Sequence, residues 1–235
     1  MKVDIWSDVR CPFCYIGKRK FEQALEQFDH KENIEVVWHS FQLDANTVSM
    51  PGKSIYEYLA EKKGMSVEQS KQMHAQVTAS AAEVGLEFNF DKTVISNTFD
   101  AHRLIQLAKR HHLGDAAEEV LFKAYFTDGK DVSNHDTLIN LFTSIGLDRE
   151  EVVHVLTTEV FSDDVHRDEA QAVQLGVRGV PFFVLNDKYG VSGAQPSELF
   201  LQALQQSYSE YNASRLPLDF STAIAGDACD VNGNC

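Results

Sequence analysis

Two cysteines separated by two residues, Cys11 and Cys14 in the run Ser7-Asp8-Val9-Arg10-Cys11-Pro12-Phe13-Cys14-Tyr15, are the part of this chain best suited to chemistry. A dithiol at that spacing can attack a disulfide through one thiolate and resolve the mixed product with the other. Because the thiolate reacts and the thiol does not, the chemistry depends on what favours the charge. A short strand-like run, Lys2 to Trp6, precedes the pair, and a helical run with Phe21, Ala24, Leu25 and Phe28 on one face follows it. The cysteines therefore sit where a strand hands over to a helix, beside the unpaired N–H groups and positive dipole end of its first turn. Pro12 suits that turn, where its missing N–H is not needed. The dipole supplies about 0.3–1 kcal/mol at an exposed site, whereas one pKa unit is worth about 1.4 kcal/mol, so a larger shift calls on Arg10 and on the second thiol. Cys11, the N-terminal and more exposed member, is the expected nucleophile; Cys14, a turn further in, is the expected resolving thiol. Two packed free thiols, or half of a zinc site, are the competing readings of the same residues.

The 235 residues, 43% of them apolar, suffice for one large domain or two small ones. Four cysteines in two close pairs at opposite ends are too few to staple a secreted domain, and their distribution suits redox or metal chemistry. No apolar leader run precedes the first strand and no stretch approaches the roughly 18 apolar residues of a membrane span, so a soluble cytoplasmic protein is expected. A net charge of −14 opposes nucleic acids and anionic membranes, which are themselves polyanions, and solubility is reason enough for it. The nine histidines form no ligand array, and no metal is expected. Lys18, Arg19 and Lys20 read as a solvated helix face, with attraction of an anionic thiol such as glutathione as the alternative. Asp4 and Asp8 are candidate proton acceptors for Cys14, against strand-end or turn roles.

The elements that must position the cysteines follow in order. Ile34 to Phe41 reads as a second strand, making a βαβ unit with a parallel pair. Leu43 to Lys53 is a loop. Helices are predicted near 54–63, 66–84, 98–112, 116–127, 135–145, 148–157 and 162–175. Capping boxes at Ser66/Gln69, Asp115/Glu118 and Asp148/Glu151 mark their starts, and Gly85, Gly114, Gly129, Gly146 and Gly176 their stops. Strands return at Val180 to Leu185 and Tyr189 to Val191 around an Asn186-Asp187-Lys188 turn. Pro196 then opens a last helix with an apolar stripe of Leu199, Phe200, Leu201, Leu204 and Tyr208. The pattern is an α/β sheet with helices on its faces, built from 1–53 and 177–213, an all-helical insertion over 54–176 covering the active-site edge, and a polar tail over 214–235. The tail carries Cys229 and Cys235, whose spacing a hairpin-like turn at Asn232-Gly233 can close; they read as a second redox pair, as tail thiols without a role, or as half of a four-cysteine zinc site, which would tie up the nucleophile.

Four segments together resemble the DsbA-like thioredoxin-fold oxidoreductases, and within them the cytoplasmic FrnE subgroup. They are Asp8 to Lys18 with its CPFC core, Asn97-Thr98-Phe99-Asp100-Ala101-His102-Arg103, Gly179-Val180-Pro181-Phe182-Phe183-Val184, and Gly193-Ala194-Gln195-Pro196. The resemblance runs from the first strand to about residue 210. It implies a thioredoxin fold with a large helical insertion and a cis Val180–Pro181 bond beside Cys11, where Val180 and Pro181 bind an extended substrate segment through the backbone. Members of the subgroup can carry an additional C-terminal pair such as Cys229 and Cys235. Arg10 departs from the small or apolar residue expected there. In the related branch of glutathione transferase kappa and 2-hydroxychromene-2-carboxylate isomerase the first active-site position is typically serine, so Cys11 with Cys14 favours dithiol chemistry.

The expected activity is therefore disulfide exchange or isomerisation on proteins with thiols or disulfides, without a bound cofactor, and with glutathione or a thioredoxin-type protein as a possible electron partner. A glutathione-dependent transferase or isomerase, and a redox-switched chaperone or binding module that uses the helical lobe, are the alternatives.

Overall fold

The computed structural model describes residues 1–213. Its centre is a four-stranded sheet in the order β2-β1-β3-β4. β1 (Lys2–Ser7) lies parallel to β2 (Glu35–Ser40), from Lys2 opposite Glu35 to Ser7 opposite Ser40, and antiparallel to β3 (Phe182–Leu185), with Val3 opposite Leu185. β4 (Tyr189–Ser192) forms a hairpin with β3 through a turn in which Asn186 and Asp187 both have positive φ, a backbone that short polar side chains tolerate.

Side chains alternate along a strand, so β1 serves two layers. Val3 and Ile5 meet α1 (Pro12–Glu26) and α9 (Ser197–Ala213), where the rings of Phe21, Phe183 and Phe200 lie 4.6–5.8 Å apart. Trp6 packs on the other face with Val184, Val177 and Ala172 of α8 (Ser162–Gln174). The last helix of the expected insertion therefore belongs to the sheet layers. The remaining helices, α2 (Ile55–Lys63), α3 (Val67–Ala82), α4 (Phe99–Arg110), α5 (Gly114–Phe122), α6 (His135–Ser144) and α7 (Arg149–Thr157), form the lobe. Its core of Leu104, Leu121, Phe122, Phe126 and Phe142 is continuous with Cys11, Cys14, Tyr15 and Ile16. Among the described residues, no helix is long and apolar enough to cross a membrane.

Local signals held at most helix ends. The Ser66/Gln69 capping box is complete, and Asp148 accepts from Glu150 N and Glu151 N at the start of α7. The Asp115/Glu118 box does not form: Leu113 occupies the N-cap position of α5, and Glu118 is buried on its apolar face with Leu121 and Phe122. Gly114 is likewise not a stop, because His112 at φ 58° makes the left-handed turn after α4. Leu199 is 40% exposed, since one turn of α9 cannot present Leu199 and Phe200 to the same layer.

The motif 97–103 proves to be a set of ties. Asn97 Nδ2 donates to Ala45 O and Thr47 O, fixing the loop after β2. Arg103, 3% exposed, pairs with Asp100 and donates to the carbonyls of Val155, Thr158 and Val160, so it holds the turn between α7 and α8. Asp168 of α8 is the corresponding hub on the sheet. Its carboxylate accepts from Ser40 N at 2.9 Å, Gln106 Nε2 at 2.6 Å and His39 Nδ1 at 2.8 Å, while its carbonyl accepts from Trp6 Nε1 at 3.0 Å. His39 reaches Asp4 through its other nitrogen at 2.7 Å and stacks on Trp6.

Burial works against the His39 charge, but hydrogen bonds to Asp168 and Asp4 outweigh it and raise the His39 pKa. A raised folded-state pKa contributes stability that is full below the unfolded value, about 6.5, and is lost as pH rises through the folded one. Substituting His39→Gln is therefore expected to destabilise the protein more at about pH 6 than at about pH 9. Denaturant melts of both proteins at the two pH values measure this, and an equal loss at both would show that His39 is held neutral.

Candidate active site

Cys11 is the N-cap residue of α1, with extended φ and ψ of −90° and 110°, and Pro12 opens the helix proper. Cys11 N donates to Asp8 O at 2.9 Å and Cys14 N to Cys11 O at 3.0 Å, so the CPFC turn is wound against the end of β1. Both sulfurs belong to free thiols and both residues are buried, Cys11 at 4% exposed and Cys14 at 1%. The expected difference in exposure is thus small, but the groove at the active-site edge is lined by Cys11 and not by Cys14.

The Val180–Pro181 bond is cis, and Cys11 Sγ donates to Val180 O at 3.3 Å. Four residues singled out in the sequence, Cys11, Cys14, Val180 and Pro181, are thereby brought to one place; Cys229 and Cys235 lie outside the described residues. Gly17 makes that meeting possible. A Cβ at this position would stand 2.9 Å from Pro181 Cγ and 3.6 Å from Ala194 Cα, so only a bare backbone lets α1 come so close. In the sequence the only mark of this is a glycine three residues after Cys14, inside a run that otherwise reads as a helix.

A buried polar cluster stands behind Cys14. Burial pushes the Cys14 thiol up, and the adjacent Cys11 sulfur adds to this, while the Asp8 backbone N–H and the Ser7 hydroxyl pull the other way. Ser7 Oγ is 3.5 Å from Glu118 Oε2, and His102 Nε2 is 3.5 Å from Asp8 Oδ1. Glu118 is 1% exposed, and its burial raises its pKa to about 7 against the attraction of His102 and Lys18. For Asp8, burial is outweighed by His102 and by the N–H of Leu43, which lowers its pKa; His102 is raised in turn, chiefly by Asp8 against its own burial. Of the two acids expected near Cys14, Asp8 belongs to this cluster, whereas Asp4 is committed to His39 and Lys2. The capping-box pattern with Asp115 disguises the position of Glu118 in the sequence. Its spacing of three and four from Leu121 and Phe122 is the signal that places it inside.

The solvated face expected for Lys18, Arg19 and Lys20 is not found. Lys18 is 2% exposed and pairs with Glu22, with Asp115 at 3.1 Å and with Glu119 at 3.3 Å. Arg19 pairs with Glu119 and Glu22 and lies over the Tyr15 ring, and Lys20 Nζ donates to Ala194 O. α1 runs between the sheet and α5, so the side it turns toward the lobe is clamped by charges.

Fold and site together define a thioredoxin-like protein with a dithiol centre. Residues 2–205 match the DSBA-like thioredoxin domain, and the chain belongs to this family. Among solved structures it is similar to a probable DsbA oxidoreductase from Streptomyces coelicolor, at 41% identity and a TM-score of 0.85, with 100% of this chain and 98% of that chain covered. An uncharacterized protein of Bacillus subtilis, YwbO, is 25% identical over 210 residues, 86% of this chain and 94% of the relative. The cytosolic disulfide reductase DsbM from Pseudomonas aeruginosa, solved with GSH, shares the fold at 15% identity and a TM-score of 0.61, covering 92% of this chain and 100% of that one.

Overpacking of this kind typically destabilises by about 1–3 kcal/mol. Gly17→Ala is expected to lose stability in that range and to slow alkylation or disulfide exchange at Cys11, because the Pro181 ring must move. Melts and stopped-flow thiol assays read both effects; unchanged stability and exchange would show that the contact relaxes freely.

Proposed function

We propose that this protein is a thiol–disulfide oxidoreductase acting on disulfides of polypeptides, with Cys11 as the attacking thiolate and Cys14 as the resolving one. The observation that supports this reading is the placement of Cys11 at the groove, 3.3 Å from Val180 O, with Cys14 one turn behind it and closed off from the groove. In the reductive direction the Cys11 thiolate attacks one sulfur of the substrate disulfide. The Cys11–substrate bond forms and the second substrate sulfur leaves as a thiolate. Cys14, deprotonated, then attacks Cys11 Sγ, closing the Cys11–Cys14 disulfide and releasing the first substrate sulfur. Two electrons pass to the substrate, and the reverse sequence oxidises a dithiol. An ionised Cys11 no longer donates to Val180 O, so that carbonyl becomes available to an N–H of an extended substrate, and Pro181 presents no N–H of its own.

The hard step is the ionisation of Cys14, since its thiol is pushed up by burial. We assign its proton to Glu118, by way of the Ser7 hydroxyl that neighbours both groups. A carboxyl with a pKa of about 7 is partly ionised at neutral pH and can take up one proton. Glutathione or a thioredoxin-type protein would return the oxidised pair to the dithiol, and Cys229 with Cys235 would serve as an auxiliary pair exchanging with Cys11 and Cys14. DsbM, solved with GSH, lends support to the first partner. The setting we propose is cytoplasmic, as for that reductase.

Cys11→Ser is expected to reduce catalysed insulin reduction and refolding of scrambled ribonuclease to the uncatalysed rate, while Cys14→Ser accumulates a mixed disulfide on Cys11 visible by mass spectrometry. Activity that survives Cys11→Ser would overturn the mechanism. Titration of the native chain in glutathione buffers, followed by mass spectrometry, is expected to give two linked transitions; one confined to Cys11 and Cys14 would remove the tail pair from the scheme.

Glu118→Gln is expected to slow the resolving step and to abolish its rise with pH through about 7. The same variant separates this role from a structural one. A carboxyl whose folded pKa is raised loses stability as pH climbs from its unfolded value through about 7, so Glu118→Gln should be the more stable protein at about pH 8. A variant that is more stable yet resolves as fast as the native protein would exclude Glu118 as the acceptor.

A further inference from the structure

The side of the active site away from Val180 carries features that the exchange chemistry itself does not use. A groove of about 380 Å³ opens beside Cys11 between the CPFC turn, the loop after β2, and α2 and α3. Its size is at the lower end of the range of ligand-binding clefts. Phe13, Leu43 and Met73, which line it, are 45%, 50% and 38% exposed, although most large apolar side chains of the described chain are covered. Leu59 and Phe126 continue the apolar wall. Phe126 sits in a π-helical turn, Lys123–Thr127, that continues α5.

Arg10 stands at the polar end of this groove, adjacent in sequence to the nucleophile. Its guanidinium donates to the hydroxyls of Thr47 and Tyr58 and lies over the Tyr58 ring, and no carboxylate among the described residues comes within ion-pair distance of it. The other half-buried or buried cations near the site are treated differently: Lys18 and Arg19 are paired with acids, as is Arg103 on the far side of α4. Two of the five guanidinium N–H donors are used by the hydroxyls. Thr47 is itself fixed by Asp44 and by the Asn97 tie to the loop, so the cation is held in place by neutral groups; the buried Asp8 carboxylate attracts it through space but makes no ion pair with it, which leaves guanidinium N–H donors open toward the groove. The titratable groups lining the groove add to the positive side: Lys62 is balanced by Asp44, Lys63 is not paired within the described residues, and burial lowers the His74 pKa. In a protein of net charge −14, this is a local inversion of sign beside the reacting sulfur.

We infer that Arg10 is a specificity-determining residue, and that the groove takes the segment flanking the cystine of a polypeptide substrate, with a bulky apolar side chain between Phe13, Leu43 and Met73 and an acidic side chain on Arg10. The occupant is a polypeptide and not a small anionic thiol because the wall of the groove is mainly apolar and a tripeptide thiol with two carboxylates has nothing to bury there. The inference rests on the exchange reading of Cys11, and the test keeps the two apart.

Full-length reduced protein is mixed under single-turnover conditions with synthetic peptides closed by one disulfide, carrying Glu or Lys and Phe or Ala beside one cysteine, and with oxidised glutathione. The Glu–Phe peptide is expected to react about tenfold faster than the Lys–Phe peptide, the worth of one charge-assisted hydrogen bond. Replacing Phe by Ala is expected to lose roughly another tenfold. The Glu-to-Lys ratio should fall toward one in Arg10→Met and be partly retained in Arg10→Lys. Each ratio compares two peptides at the same thiolate, so any change in Cys11 acidity cancels. Equal rates for the Glu and Lys peptides, or a ratio that survives Arg10→Met, would overturn the inference while leaving thiol–disulfide exchange intact. Oxidised glutathione outrunning every peptide, and losing that lead in Arg10→Met, would replace the polypeptide by a small anionic disulfide and overturn it too. No exchange with any disulfide would overturn the proposed function and the inference together.

Discussion

The close approach of α1 to the Val180–Pro181 turn sets where the Cys11 and Cys14 sulfurs lie. It depends on a missing side chain at Gly17, and it is pressed home from two directions. On the sheet side, Phe21 is packed among Phe183 and Phe200, so the helix cannot lift from β3. On the lobe side, Lys18 and Arg19 are gripped by Asp115 and Glu119 of α5. Packing from opposite sides thus fixes the positions of the two sulfurs.

Buried charge in this molecule follows one rule with one departure. Taking an ion out of water is expensive unless another group replaces the water, so buried ions come in sets. His39 lies between Asp4 and Asp168, Lys18 among three acids, Arg103 among carbonyls with Asp100, and His102 beside Asp8. These sets also join layers: Asp168 ties α8 to β2 and α4, and Arg103 ties α4 to the turn before α8. Arg10 departs from the rule: its direct partners are hydroxyls and a ring, and Asp8 attracts it without forming an ion pair. That departure lies at the mouth of the site, where a partner can complete the set.

The sequence was most legible where structure is local. The strand boundaries, the CPFC hand-over to α1 and the Ser66 and Asp148 caps follow from alternation, helix-start chemistry and turn residues, and the helix order agrees throughout. The resemblance carried what locality cannot, the thioredoxin fold and the segment that faces Cys11. What escaped depends on contacts across the chain. Lys18 looks like a surface residue until α5 arrives beside it, Glu118 looks like a cap until its helix starts two residues earlier than an Asp115 cap would require, and Asp168 carries no local mark of its position under His39. Arg10 was visible as an odd residue, but its lack of a carboxylate partner is a property of three dimensions only.

The order of the strands has a consequence for how the protein is made. β1 lies between β2, which follows it closely in the chain, and β3, whose Leu185 pairs with Val3 roughly 180 residues later. At a synthesis rate of about 5–20 residues per second, roughly 10 to 35 seconds separate the emergence of β1 from that of its second neighbour. Through that interval the nascent chain holds Cys11 and Cys14 without the Val180–Pro181 turn that covers them, and one edge of β1 has no strand to pair with. The two thiols, 4% and 1% exposed in the folded protein, are thus less covered while the chain is being made than once β3 has joined the sheet.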